Sequence, residues 1–162
     1  MKKVAGILLL GLSTLLTTTA VCAIERSTEA EALALIKKAQ EYLKTNGLEK
    51  SIAEFNKLDS PFNSTSDINK KGDLYLFSVN TVGFQAIHGK NLKIQGKVTL
   101  DMRDSDGVYL IQEFIKKCNS PEGKGWVSYR WPNPITKDLE AKKGYIEKVP
   151  GMDLCLGTGI YK

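Results

Sequence analysis

The chain has 162 residues, a formal net charge of +5 and 42% hydrophobic residues, which suits one packed domain and is short for two. Its 23 basic residues are interspersed with 18 acids, a solvated surface that excludes a nucleic-acid-binding stripe. There is one histidine, His88, so any chemistry needing imidazole must use it.

The first 23 residues read as a secretory signal peptide. Lys2 and Lys3 precede an apolar run centred on Ile7 to Leu16, a threonine-rich stretch follows, and Val21-Cys22-Ala23 fits cleavage before Ile24. A lipid-attachment reading of Cys22 is opposed by Val21, which is larger than the residue such sites place before the cysteine. Losing the two leader lysines brings the net charge to +3. The expected location is periplasmic, with no membrane span after cleavage. Cys118 and Cys155 then remain in a compartment that permits disulfides.

From Thr28 to Asn46, Ala32, Leu35, Ile36, Ala39, Tyr42 and Leu43 follow the spacing of one helical face. Thr28 with Glu31 is a capping-box signature, and Gly47 supplies the stop. A shorter amphipathic segment covers Leu48 to Lys57, followed by a polar loop from Asp59 to Lys71. The period then changes. Leu74 to Val79 and Phe84 to His88 are β-type runs separated by Asn80-Thr81-Val82-Gly83, a predicted hairpin. A further helix is expected over Gly107 to Cys118, and three strands over Gly125 to Trp131, Leu139 to Val149 and Leu154 to Tyr161. The short turns between them predict a mainly antiparallel sheet, hence an α+β domain.

Chemical motifs are sparse. Asp104-Ser105-Asp106-Gly107 with Glu113 matches the later positions of a calcium loop, but Met102 stands at the first ligand position, where a thioether cannot serve a hard cation. The simpler expectation is that Asp106 caps the following helix. No nucleophile elbow and no activated cysteine accompany His88, and the cysteines and His88 lack metal-ligand spacing. The reading is of a non-enzyme with no cofactor and no metal.

The segment Gly125 to Pro134 gathers both tryptophans and Tyr129. Alternation puts Val127, Tyr129 and Trp131 on one face and Trp126, Ser128 and Arg130 on the other. Across the Pro132 to Asp138 turn, the next strand carries Lys143, Tyr145 and Glu147 on one face. If that face is shared with Tyr129 and Trp131, an aromatic wall with one cation and two hydroxyls converges, suited to a small anion with an apolar part. A sheet core in which Lys143 snorkels to water fits the same residues.

The collinear set His88-Gly89-Lys90-Asn91, Gly96-Lys97, Asp104-Ser105-Asp106-Gly107, Gly125-Trp126-Val127-Ser128-Tyr129-Arg130-Trp131-Pro132, Lys143-x-Tyr145 and Gly157-Thr158-Gly159-Ile160-Tyr161 resembles the single Cache domain family over nearly the whole exported chain. The resemblance implies a PAS-like extracytoplasmic sensory fold, with a long N-terminal helix packed on a mainly antiparallel five-stranded sheet. It implies a small organic acid or amino acid held between sheet and loops, a pocket matched by Tyr129, Trp131, Lys143 and Tyr145 with His88 at the border, while alternation leaves Trp126, on the opposite face, in the core. A PAS-like order puts the last strand near the sheet centre, where Cys155 can meet Cys118 in a disulfide.

Two features depart from that family. The sequence ends at Lys162, directly after the last strand, which points to a stand-alone domain serving a separate membrane receptor or kinase, or buffering a metabolite. Leu92 stands where relatives commonly carry proline. The alternative from another class is a ligand-free module that docks on an envelope partner.

Overall fold

The computed structural model describes residues 25–162; the expected signal peptide lies outside the described residues. Helix α1 (Glu29–Asn46) starts where Thr28 and Glu31 close a capping box. Thr28 Oγ1 accepts from the Glu31 amide, and the Glu31 carboxylate accepts from the Thr28 amide at 2.7 Å. The helix stops at Gly47, whose φ of 79° favours a residue without Cβ. Helix α2 (Leu48–Phe55) follows directly. In chain order come β1 (Phe77–Val79), β2 (Phe84–Gln85), β3 (Lys97–Val98), α3 (Leu110–Cys118), β4 (Lys124–Pro132), β5 (Leu139–Lys148) and β6 (Cys155–Tyr161).

The main sheet is antiparallel with strand order β1-β6-β5-β4. The last strand therefore lies inside the sheet, and every one of its residues is buried. The fifth place is filled irregularly. β2 pairs with the two-residue β3, a partner the sequence did not suggest, while Ile87 to Gly89 run along β1. There Ser78 N–H donates to the Ile87 carbonyl and Gly89 N–H to that of Leu76. The expected five-stranded sheet is thus four regular strands and one bent edge segment.

Two helical layers cover the sheet. On one face α1 buries Ala32, Leu35, Ile36, Ala39 and Leu43 against Tyr145, Leu156 and Ile160. On the other, α3 buries Leu110, Ile111 and Phe114 against Phe77, Val127, Tyr129 and Ile146. Cys118, at the end of α3, is bonded to Cys155, at the start of β6, with Cα atoms 6.4 Å apart. That spacing lies within the range a disulfide requires.

Helix α3 starts three residues later than the periodicity suggests, and Asp106 does not cap it. Its N-cap is Tyr109, without a side-chain bond. Asp104 organises the loop instead, accepting from the amides of Asp106, Val108 and Arg130 at 3.0, 2.8 and 2.8 Å. Those donors outweigh the burial that opposes its charge, so its pKa lies below the usual carboxylate value.

Candidate functional site

The register of β4 and β5 decides which side chains meet. The hairpin closes on a six-residue loop, with Asn133 N–H donating to the Asp138 carbonyl at 2.8 Å and Pro132 opposite Leu139. Pro132 can remain in the ladder because β4 is an edge strand. An even loop sets odd residues of β4 opposite even residues of β5, so Tyr129 faces Lys142 and Trp131 faces Glu140. The expected shared face is corrected accordingly. Lys143 and Tyr145 pair with Ser128 and Trp126 on the α1 side. There Lys143 binds Glu29 and lies 4.9 Å from the centre of the Trp126 ring, and the Tyr145 hydroxyl donates to Glu147 at 2.7 Å. Both residues thus lie on the face opposite Tyr129 and Trp131, where Tyr145 lines a groove beside α1. Trp126, expected in the core, is half-buried there against Tyr145, with ring centres 5.0 Å apart.

On the α3 side, Lys142 takes the place expected of Lys143. Its side chain is 2% exposed, and its Nζ has no hydrogen-bond partner among the described residues. The amine lies 3.8 Å from the centre of the Tyr75 ring and 4.8 Å from that of Tyr161, a partial aromatic cage. Two glycines make the room. A Cβ on Gly159 would lie 2.5 Å from Lys142 Cε, and one on Gly144 would lie 2.8 Å from the Tyr129 ring. Burial pushes the Lys142 pKa well below its ordinary value, against the pull of Asp73. Asp73 is itself occupied by Ser27, whose amide donates at 2.8 Å and whose hydroxyl also donates.

His88 is 4% exposed and packs between Tyr75 and Trp131, with ring centres 5.2 and 6.2 Å away. Its Nδ1 accepts the Asn91 amide at 3.0 Å, so the neutral ring carries its proton on Nε2. Burial first, and the Lys142 charge second, lower its pKa to about 3. Tyr129 stacks edge-on against Phe114 and lies 6.0 Å from Trp131. Burial pushes its phenol well above 10.

Tyr75, His88 and Trp131 form a wall with space on both sides. Inward is a cavity of about 10 Å³ lined by Phe77, Gln85, Met102, Phe114 and Tyr129, room for about one water. Outward is an open pocket of about 410 Å³ between Leu58, the Lys90-Asn91 loop and the Pro132 to Lys137 turn. Neither space has a carboxylate among its lining residues. The larger groove, about 1070 Å³ beside α1 on the opposite face, includes Leu33, Trp126 and Met152 in its lining.

The structure brings together three of the five expected ligand residues, Tyr129, Trp131 and His88, and separates Lys143 and Tyr145 from them. It adds Lys142, Tyr75 and Tyr161. A signal for Lys142 existed in the sequence: a glycine inside a strand, here Gly159, marks the close approach of something large.

The sequence profile of a family described as Cache domain matches residues 24–162. Over 86 residues the chain is 30% identical to the methyl-accepting chemotaxis protein McpP of Pseudomonas putida, covering 52% of this chain and 16% of that protein. Over 95 residues it is 28% identical to the sensor histidine kinase MctS of Rhizobium johnstonii, covering 59% and 20%. The matches thus span a fifth or less of these curated relatives. Among solved structures, a methyl-accepting chemotaxis protein from Vibrio parahaemolyticus superposes with a TM-score of 0.65 at 26% identity, covering 82% of this chain and 86% of that one. A Cache chemosensory domain described for its carboxylic acid recognition superposes at 0.58 and 21% identity, covering 78% and 83%. No helix among the described residues is long and apolar enough to cross a membrane.

Proposed function

The chain belongs to the Cache domain family, and from that premise we propose that it is a sensory binding domain for a short monocarboxylate, held between the sheet and α3. The observation that carries this reading is the Lys142 amine, buried without a hydrogen-bond partner in a ring of aromatic side chains. A buried polar group left unpaired costs about 1 to 3 kcal/mol, a cost that a carboxylate would remove by supplying a charge-assisted acceptor. One buried amine suits one carboxylate, whose charge would favour the ammonium form that burial opposes. An amino acid would also need an acid for its ammonium group, and the acid acting on Lys142, Asp73, is already held by Ser27.

His88 would contribute its Nε2 proton as a neutral donor, with Trp131 and Tyr129 covering the apolar end. The inner cavity of about 10 Å³ is smaller than any organic acid, so binding would widen the gap between sheet and α3. That displacement is the form in which occupancy would be passed on. The relative described for carboxylic acid recognition supports the ligand class. The chemotaxis and kinase relatives support a membrane receptor or kinase as the proposed partner. The proposed compartment is the periplasm, in keeping with the bonded cysteines.

The test is a melting-temperature screen with acetate, propionate, succinate and alanine. A ligand at about 100 times its Kd contributes roughly 2.7 kcal/mol, and propionate or acetate is expected to raise Tm by several degrees while alanine does not. The groove beside α1 favours one other reading, a ligand-free docking module. Absence of a shift with every acid would favour that reading over this one.

A further inference from the structure

The outer pocket has a composition of its own. Its lining includes two lysines, Lys90 and Lys137, and no acid. Neither lysine forms an ion pair among the described residues. Lys90 is half-buried, and its pKa is lowered first by burial and then by the charge of Lys137. Two cations that repel one another across a pocket, with no counter-charge in its wall, create a positive potential in the space between them.

The backbone holds them there. Lys137 is the only described non-glycine residue with positive φ, at 69°, a conformation that costs free energy and persists where the surroundings impose it. Its amide donates to the Asn133 carbonyl at 2.9 Å, and Asn133 is itself buried and bound to Glu140 at 3.0 Å. Across the pocket, the Lys90 loop is folded over the His88 ring through the Asn91 amide. Trp131 lies at the boundary, lining the outer pocket and the inner cavity alike.

We propose that Lys90 and Lys137 form an anion-capture site, distinct from the Lys142 site, which draws a carboxylate from solution and holds it against Trp131 before it passes inward. The proposal rests on the carboxylate reading of the inner site and adds a division of labour. The outer pair sets the rate of association, and the inner lysine sets the rate of release. Steering of this kind acts on association and weakens with salt.

The experiment is stopped-flow fluorescence with propionate in a Trp126→Phe background, which leaves Trp131 as the single tryptophan. Lys90→Gln with Lys137→Asn removes both charges, and asparagine tolerates the positive φ. The expected result is an association rate lowered about tenfold at low salt, with a flatter decline as salt rises, and a dissociation rate within about twofold of the parent. In the parent, sulfate should slow propionate association more than chloride at equal ionic strength, and the difference should vanish in the double variant. An unchanged association rate and salt dependence, with binding retained, overturn the capture site alone. So does a loss confined to dissociation. If propionate neither changes Trp131 fluorescence nor raises Tm in the parent, the inner-site reading fails and the capture site falls with it.

Discussion

Replacing Lys142 with methionine separates ligand binding from stability. Methionine has nearly the shape of the lysine stem and removes an amine that is buried without a partner. Relief of that group contributes about 1 to 3 kcal/mol, and loss of the contacts to Tyr75 and Tyr161 returns about 1 kcal/mol. The ligand-free variant should therefore match the parent or exceed it by up to about 2 kcal/mol. For a fold of about 140 residues the unfolding entropy is about 0.3 kcal/mol/K, so Tm should be unchanged or rise by up to about 7 °C. At about 100 times Kd, propionate should stabilise the parent by roughly 2.7 kcal/mol and the variant not at all, which places the parent above the variant. Differential scanning calorimetry with and without propionate reads both effects. Lys143→Ala serves as the control and should keep the ligand shift, because Lys143 lies on the other face, paired with Glu29. If the methionine variant melts well below the parent without ligand, Lys142 is structural. A ligand shift that survives the substitution would place the carboxylate elsewhere.

Three further outcomes are expected. His88 has a folded pKa lowered to about 3 against about 6.5 in an unfolded chain, so the unfolded state takes up its proton first as pH falls. The contribution of the neutral ring is complete above about pH 6.5 and is lost through the window down to about 3. Between pH 7.5 and 4.5 the parent should lose about 2 to 3 kcal/mol more in urea unfolding than His88→Asn, which keeps an acceptor for Asn91; parallel curves would refute this. The Cys118–Cys155 bond closes a 37-residue separation, worth roughly 3 to 4 kcal/mol in the chain-entropy model. Thiol titration of the denatured, unreduced protein should find neither of these two cysteines free, and reduction should lower Tm by about 10 °C. A Cβ at position 159 would meet Lys142 Cε at 2.5 Å and the Lys143 carbonyl at 3.0 Å, so Gly159→Ala should cost about 1 to 3 kcal/mol and weaken propionate binding by calorimetric titration. Unchanged affinity would show that Lys142 is not held by that packing.

The helices and the antiparallel order were legible because local rules specify them. Thr28, Glu31 and the spaced apolar residues fix α1 before any tertiary contact forms. The ligand face depended on a nonlocal count. Whether six or seven residues lie between β4 and β5 changes nothing in either strand's own alternation, yet it exchanges Lys142 for Lys143 and removes Tyr145 from the site. Pro132 obscured that count, because a proline reads as part of the turn although here it ends the ladder opposite Leu139. Tyr75 and Tyr161 were read only as strand residues, since their role comes from β1, β5 and β6 lying side by side. The bent segment from Phe84 to Gly89 was legible as a hairpin arm, but its division between β1 and β3 follows from contacts distant in sequence.

The Asp104 loop has a bearing on solubility. β4 ends the sheet, and an exposed edge offers unpaired backbone donors to a strand from another molecule. Asp104 occupies one of them, the Arg130 amide, and Asp106 holds the Arg130 side chain over the same edge at 3.2 Å. Pro132, farther along, has no amide to offer. A chain lacking the Asp104 carboxylate could keep its fold and still present an open ladder, so its failure would be intermolecular, with β-sheet aggregates growing at high concentration from otherwise native molecules.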